Sequence, residues 1–277
     1  MEPVMARKMW RTLEPYHGFI YFSSDAAAAY EALGVMGRDG YFSSRAAAMG
    51  AVPAEVVMAT FYNFNPELVH HAIPGAWTAA SPSALVAARL GAVDIGLRRM
   101  LGDDVDGAGV ARAAELAAVA ALTCSPEGRP LFAGHASLEW PTEPHLVLWH
   151  AITLLREFRG DGHLVALVDA ELSGIDALVF HAASGEVPRA ALQMSRGWSD
   201  DAWAGSVAGL AAHGLVDSEG AFTPAGRALR QHIEDRTDAL ALAPWVALGN
   251  DGCDELRSIV RPLSKRIVED GPFGIRG

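Results

Sequence analysis

Ten histidines are spread along the 277 residues, several beside other polar groups in otherwise apolar stretches. The densest polar group is Trp149-His150 followed by Arg156, Arg159, Asp161 and His163. A helix over 146–158 places Leu148, Ile152 and Leu155 on its apolar face, with His150 off the centre of that stripe. Gly160-Asp161-Gly162 then reads as a turn, which sets His163 at the start of the next helix. There the positive end of the helix dipole favours neutral imidazole, the form required of a general base. Asp161 reads as a cap for that helix, with Arg159 bonded to it. His163, His150, Arg156 and Tyr41 are therefore the candidate catalytic residues, suited to proton transfer without a cofactor.

A second group is Phe61-Tyr62-Asn63-Phe64-Asn65 with His70-His71 behind it. Rings interleaved with amides suit the wall of a pocket for a flat or greasy ligand. Tyr21, Arg45, Phe61, Tyr62 and Asn63 form the candidate ligand-binding set, close in the chain to Tyr41. Adjacent histidines on a helix point about 100° apart, so His70 and His71 do not share one metal. No metal and no cofactor are expected. Haem or metal ligation by His135, His145, His150 or His163 is the alternative, although their spacing matches no recognised site. The chain has no GxSxG elbow, P-loop, GxGxxG or HExxH motif.

Half the residues are hydrophobic and a fifth are charged, so a packed helical core is expected rather than disorder. The formal net charge of −11 opposes contact with nucleic acid or an anionic membrane. Cys124 and Cys253 are too few and too far apart for a disulfide framework, which fits a reducing cytoplasm. The basic N-terminus has no apolar stretch behind it, and no run approaches the roughly 20 residues of a membrane span.

The elements that must position these residues read as helices, with one exception. Ser199 caps a helix over 199–213, the chain turns at Gly214, and Leu215-Val216 faces Ala221-Phe222 across a turn. Thr223-Pro224 then starts a helix over 224–236, completing a winged-helix pattern. Two Arg/Asp/Gly turns precede similar helical runs, from Tyr41 to Trp77 and from His163 to Trp198. This spacing predicts a tandem duplication over roughly 13–106 and 138–250, with Tyr41 and His163 at equivalent places. The expected fold is mainly α: two winged-helix-like units in a single-chain pseudo-dimer, with one short β-hairpin wing in the second unit. The boundaries are 1–122 for the first unit with its linker helix, and 123–277 for the second with a C-terminal helical extension.

Three stretches carry a resemblance: GYFSSRAAAMGAVPAEVVMATFYNFNPELV (40–69), WHAITLLREFRGDGH (149–163) and RGWSDDAW with GLV and FTPAGRAL (196–229). Through them most of the chain resembles an actinobacterial helix-turn-helix family distantly similar to MarR-type regulators. The resemblance implies the fold and sets no catalytic residue. From Gly197 to Gly226 there is no lysine or arginine, which departs from a DNA-binding member. The resulting expectation is a small-molecule-binding protein, or a cofactor-independent enzyme of specialised metabolism, with its pocket between halves that no longer bind DNA. The alternative is a ligand-responsive MarR-like transcriptional regulator. The partner is then a small molecule rather than DNA or membrane, and the chain is a monomeric pseudo-dimer or a homodimer.

Overall fold

Helix starts are written plainly in this chain: Ser23, Asn65, Ser81, Ser173, Ser199 and Thr223 each accept a hydrogen bond from the first turn of the helix they precede. Proline at the first helical positions, as at Pro66, Pro82, Pro130, Pro144 and Pro224, reinforces the same starts. The computed structural model describes residues 1–271. The first half runs α1 (Val4–Gly18), α2 (Ser24–Glu31), α3 (Arg38–Ala46), α4 (Ala54–Phe61), α5 (Pro66–Ala72), α6 (Gly75–Ala79), α7 (Pro82–Leu101) and α8 (Ala108–Ala121). The second half runs α9 (Pro130–Ala136), α10 (Pro144–Asp169), α11 (Gly174–Ala183), α12 (Arg189–Arg196), α13 (Asp200–Ala212), α14 (Pro224–Leu240) and α15 (Ala243–Asp270).

The 26-residue α10 is the axis of the molecule. Leu148, Ile152, Leu154 and Phe158 are buried on several sides of it, because α1, α8, α9 and α14 all pack against it. Its first half belongs to a large hydrophobic cluster that also takes in α1–α9 and the buried face of α15. Its end, at Ala166 and Leu167, belongs to a second cluster formed with Leu178, Phe180, Leu192, Trp203, Leu210, Val216 and Ile233. One helix thus runs from one apolar core into the other.

One expectation is overturned here and a second finds no support. Among the described residues there is no β-strand, so the wing hairpin is absent; Val216 and Phe222 meet in a single isolated bridge. The reason is length. Asp217 closes the turn by accepting from the amides of Glu219 and Ala221, and Thr223 already caps α14. No residues remain to extend a ladder. The pseudo-dimer is likewise not borne out. Arg38-Asp39-Gly40 begins α3, whereas Gly160-Asp161-Gly162 is uninterrupted helix inside α10. The matched turns that paired Tyr41 with His163 do not exist as a pair. Tertiary packing on four sides carries α10 through two glycines that local propensity would break.

Candidate functional site

Between the two hydrophobic clusters lies a cleft of about 520 Å³. Its aromatic wall is made of Tyr41 on α3 with Phe61 and Phe64 of the first cluster, and of Tyr62, which packs against the second, at the end of α4 and in the following loop. Facing them are Leu167 and Leu172, with Leu178 and Phe180 of α11, and Ile233 of α14. Seven arginines reach it (Arg7, Arg11, Arg45, Arg156, Arg159, Arg196 and Arg230) against five acidic side chains (Glu14, Glu157, Asp161, Glu186 and Glu234). In a chain of net charge −11 this is a local reversal of sign.

The polar floor is built on Glu157, which is 1 % exposed. Arg45 donates to its two oxygens from Nε at 3.3 Å and Nη2 at 2.9 Å, and Arg156 donates from Nη1 at 2.9 Å. Burial alone would raise the pKa of Glu157, but Arg45 and Arg156 outweigh it and hold the carboxylate well below its usual range. Arg45 also donates to the Tyr41 hydroxyl at 3.2 Å, and Arg156 to Glu14 at 3.0 Å. Arg7 and Arg159 both pair with Asp238 at 2.8 Å, and Arg230 pairs with Glu234 at 3.0 Å. Among the described residues Arg196 has no such partner. It lies over the Phe64 ring at 4.8 Å, gives Nη1 to Ser195 at 2.9 Å, and leaves its buried Nε unbonded.

His163 lines the cleft from within the last two turns of α10, not from a helix start. Its neutrality comes from elsewhere than the expected dipole: burial pushes its pKa down to about 4. Thr237 fixes the tautomer. That hydroxyl donates to the Ile233 carbonyl at 2.7 Å, so it accepts from His163 Nδ1 at 2.9 Å. The Nε2 lone pair is left for a proton or a hydrogen-bond donor. Asp161 is no turn cap for a following helix. It is buried within α10, accepts from the Phe132 amide in the first turn of α9 at 2.9 Å, and is raised by burial to about 6.

The cleft thus brings together Tyr41, Arg45, Phe61, Tyr62, Asn63, Arg156 and His163 from the candidate set. It does not include Tyr21 or His150. Tyr21 donates to His17 Nε2 at 2.8 Å and accepts from Arg89 at 3.2 Å, in a chain that continues through His17 Nδ1 to Thr153 at 2.9 Å. His150 packs edge-on against Trp140 with 4.8 Å between ring centroids, and burial lowers its pKa to about 4. His135 is buried in the core, His145 bonds Asp94 at 2.6 Å, and His70 and His71 are both exposed. Among the described residues no group of three or more His, Cys, Asp or Glu side chains is placed to hold a metal ion.

Sequence reasoning missed Glu157 and Arg196. A glutamate set among Leu154, Leu155 and Phe158 was the available signal for the first, since a charge inside an apolar run needs buried partners. Arg196 gave no signal, because what isolates it is the three-dimensional absence of a carboxylate.

The second cluster contains α12, a short connection through Gly197-Trp198-Ser199, and α13, a helix, turn and helix in succession. The loop after α4 is latched onto that turn. Asn65 donates its side-chain amide to the Gly197 carbonyl at 2.9 Å, Trp198 Nε1 donates to Asn63 O at 2.9 Å, and the Tyr62 hydroxyl donates to Leu172 O. Gly174 is needed here, because a Cβ would strike the Tyr62 carbonyl. An all-helical chain with a helix-turn-helix docked on a larger core is the class these features define. Residues 6–274 match the Helix-turn-helix family, and the chain belongs to that family. No curated protein and no solved structure matches the chain. The match carries the helix-turn-helix assignment and neither an actinobacterial origin nor a MarR-type likeness. No helix among the described residues is long and apolar enough to cross a membrane.

Proposed function

We propose that this helix-turn-helix protein binds a small organic molecule in the cleft between its two hydrophobic clusters. The observation that carries the reading is the cleft itself: about 520 Å³, with an aromatic wall opposite a charged one. That size lies inside the range of roughly 300–1,000 Å³ common to small-molecule sites. His163, with a free Nε2, and Asp161, raised to about 6, supply proton-handling groups on its polar side. Native mass spectrometry of the purified protein and thermal-shift screening of a chemically mixed library test the reading. A ligand whose binding is lost when a cleft residue is filled, as in Ala177→Trp, is the expected result. Hits indifferent to that substitution, or no hits, overturn it.

Family membership favours a second reading, a ligand-responsive regulator that binds DNA. The exposed face of α13 speaks against that helix as the DNA reader. It presents Asp200 and Asp201 and then Ala204, Gly205, Ala208 and Gly209, with no cation. An electrophoretic shift titration at low salt separates the two. Sequence-specific binding at nanomolar protein would make regulation the function and the cleft its effector site.

A further inference from the structure

We infer that the molecule bound in the cleft is an organic carboxylate, and that Arg196 holds its charge. The inference rests on the proposed small-molecule role and adds the chemical class. Among the cleft arginines, Arg7, Arg45, Arg156, Arg159 and Arg230 each have a carboxylate within 4 Å, while Arg196 and Arg11 have none among the described residues. Arg11 is exposed, so water solvates it. Arg196 is half-buried, with Nε out of reach of solvent and without a hydrogen-bond partner among the described residues. A guanidinium withdrawn from water without an anion is costly, and proteins normally supply the anion. Burial, with Arg45 and Arg38 nearby, lowers its pKa from the usual guanidine value against the opposing influence of Tyr41.

The surroundings are arranged for an oxyanion. The Tyr41 hydroxyl accepts from Arg45 and so keeps its own proton to donate. Its ring lies 5.5 Å from Phe64, the ring on which Arg196 is stacked. Asn63 lines the same wall, and its side-chain amide makes no hydrogen bond among the described residues. Arg196, Tyr41 and Asn63 thus line one cleft with charge-assisted and neutral donors, beside the Phe61 and Phe64 rings on which a flat body can rest. A single unpaired guanidinium matches one negative charge, which selects a carboxylate over a phosphate dianion.

Isothermal titration with 2-naphthoate, 2-naphthyl phosphate and 2-naphthamide tests this. The wild-type protein is expected to bind the carboxylate at least about ten-fold tighter than the amide, and tighter than the phosphate. Arg196→Gln should bring carboxylate and amide within about two-fold of each other while leaving amide affinity unchanged. Arg196→Lys should restore part of the preference, and it serves if the glutamine variant does not fold. Equal binding of carboxylate and amide by the wild type, a preference for phosphate, or a carboxylate preference that survives Arg196→Gln overturns the carboxylate assignment and leaves the cleft reading intact. Binding of none of the three also overturns the carboxylate assignment, and the library screen then decides the cleft by itself.

Discussion

Asn65 donates its backbone N–H to the carbonyl oxygen of Arg196 at 2.9 Å. The loop that carries the aromatic wall is thereby fixed to the last residue of α12, immediately before the turn into α13. Anything that moves Arg196 in the cleft therefore pulls on the helix-turn-helix as well as on the larger core. The two hydrophobic clusters are both fed by α10, and this bond is a further tie between them beside the cleft.

Trp198→Phe tests the latch. It keeps the ring packing of a half-buried residue but removes the indole donor to Asn63 O. A loss of about 1–2 kcal/mol in urea unfolding is expected, from one unmade hydrogen bond and one stranded carbonyl. Hydrogen exchange should rise more over 170–215 than over 108–121 in α8. Uniform exchange changes, or no loss of stability, would count against the latch.

Glu157→Gln tests the polar floor. The variant keeps the shape but leaves Arg45 and Arg156 without their shared buried anion. Breaking one member of such a buried network costs on the order of 3–5 kcal/mol. Equilibrium unfolding measures it, and a loss below about 1 kcal/mol would mean the carboxylate is not the anchor.

The pH dependence of stability follows from groups displaced in opposite directions. Burial lowers His135 to about 3, and His150 and His163 to about 4, from 6.5. Their contribution is complete above about pH 6.5 and is lost as pH falls towards those folded values, because the unfolded chain takes protons the fold refuses. Asp161 works the other way. Raised from 3.8 to about 6, it contributes most below 3.8 and loses that contribution as pH rises through about 6. Between pH 6 and 4 it offsets one histidine. Urea unfolding across this window should show stability falling with acidification, and falling more steeply in Asp161→Asn. An unchanged slope in that variant would mean Asp161 is an ordinary carboxylate.

His163→Ala separates a functional imidazole from a structural one. Thr237 keeps its hydrogen bond to Ile233 O when the imidazole is removed, so no buried donor is stranded. The melting temperature should fall by less than about 4 °C, as for a loss of 1 kcal/mol or less in a chain of this size. Affinity for 2-naphthoate should change, because the side chain lines the cleft. Unfolding of the variant at room temperature would mark His163 as a structural residue only.

The helices were legible because they depend on neighbours in sequence. The Ser199 cap and the Gly214 stop marked α13 to within a residue, and Thr223-Pro224 marked the start of α14, which runs on to Leu240 rather than ending at 236. The aromatic run at 61–64 and the polar run at 156–163 were also visible as chemistry, because polar groups among apolar neighbours stand out locally. Whether they meet was decided by α10. That helix passes through Gly160 and Gly162 because surrounding elements bury it, and this moved His163 from a helix start to a helix interior. Tyr21 and His150 lie away from the cleft for a related reason: tertiary packing brings Arg89 of α7 onto the Tyr21 hydroxyl and sets the Trp140 ring against His150. The missing counter-charge of Arg196 lies entirely in the tertiary structure, since burial without a partner is a property of the space around a residue.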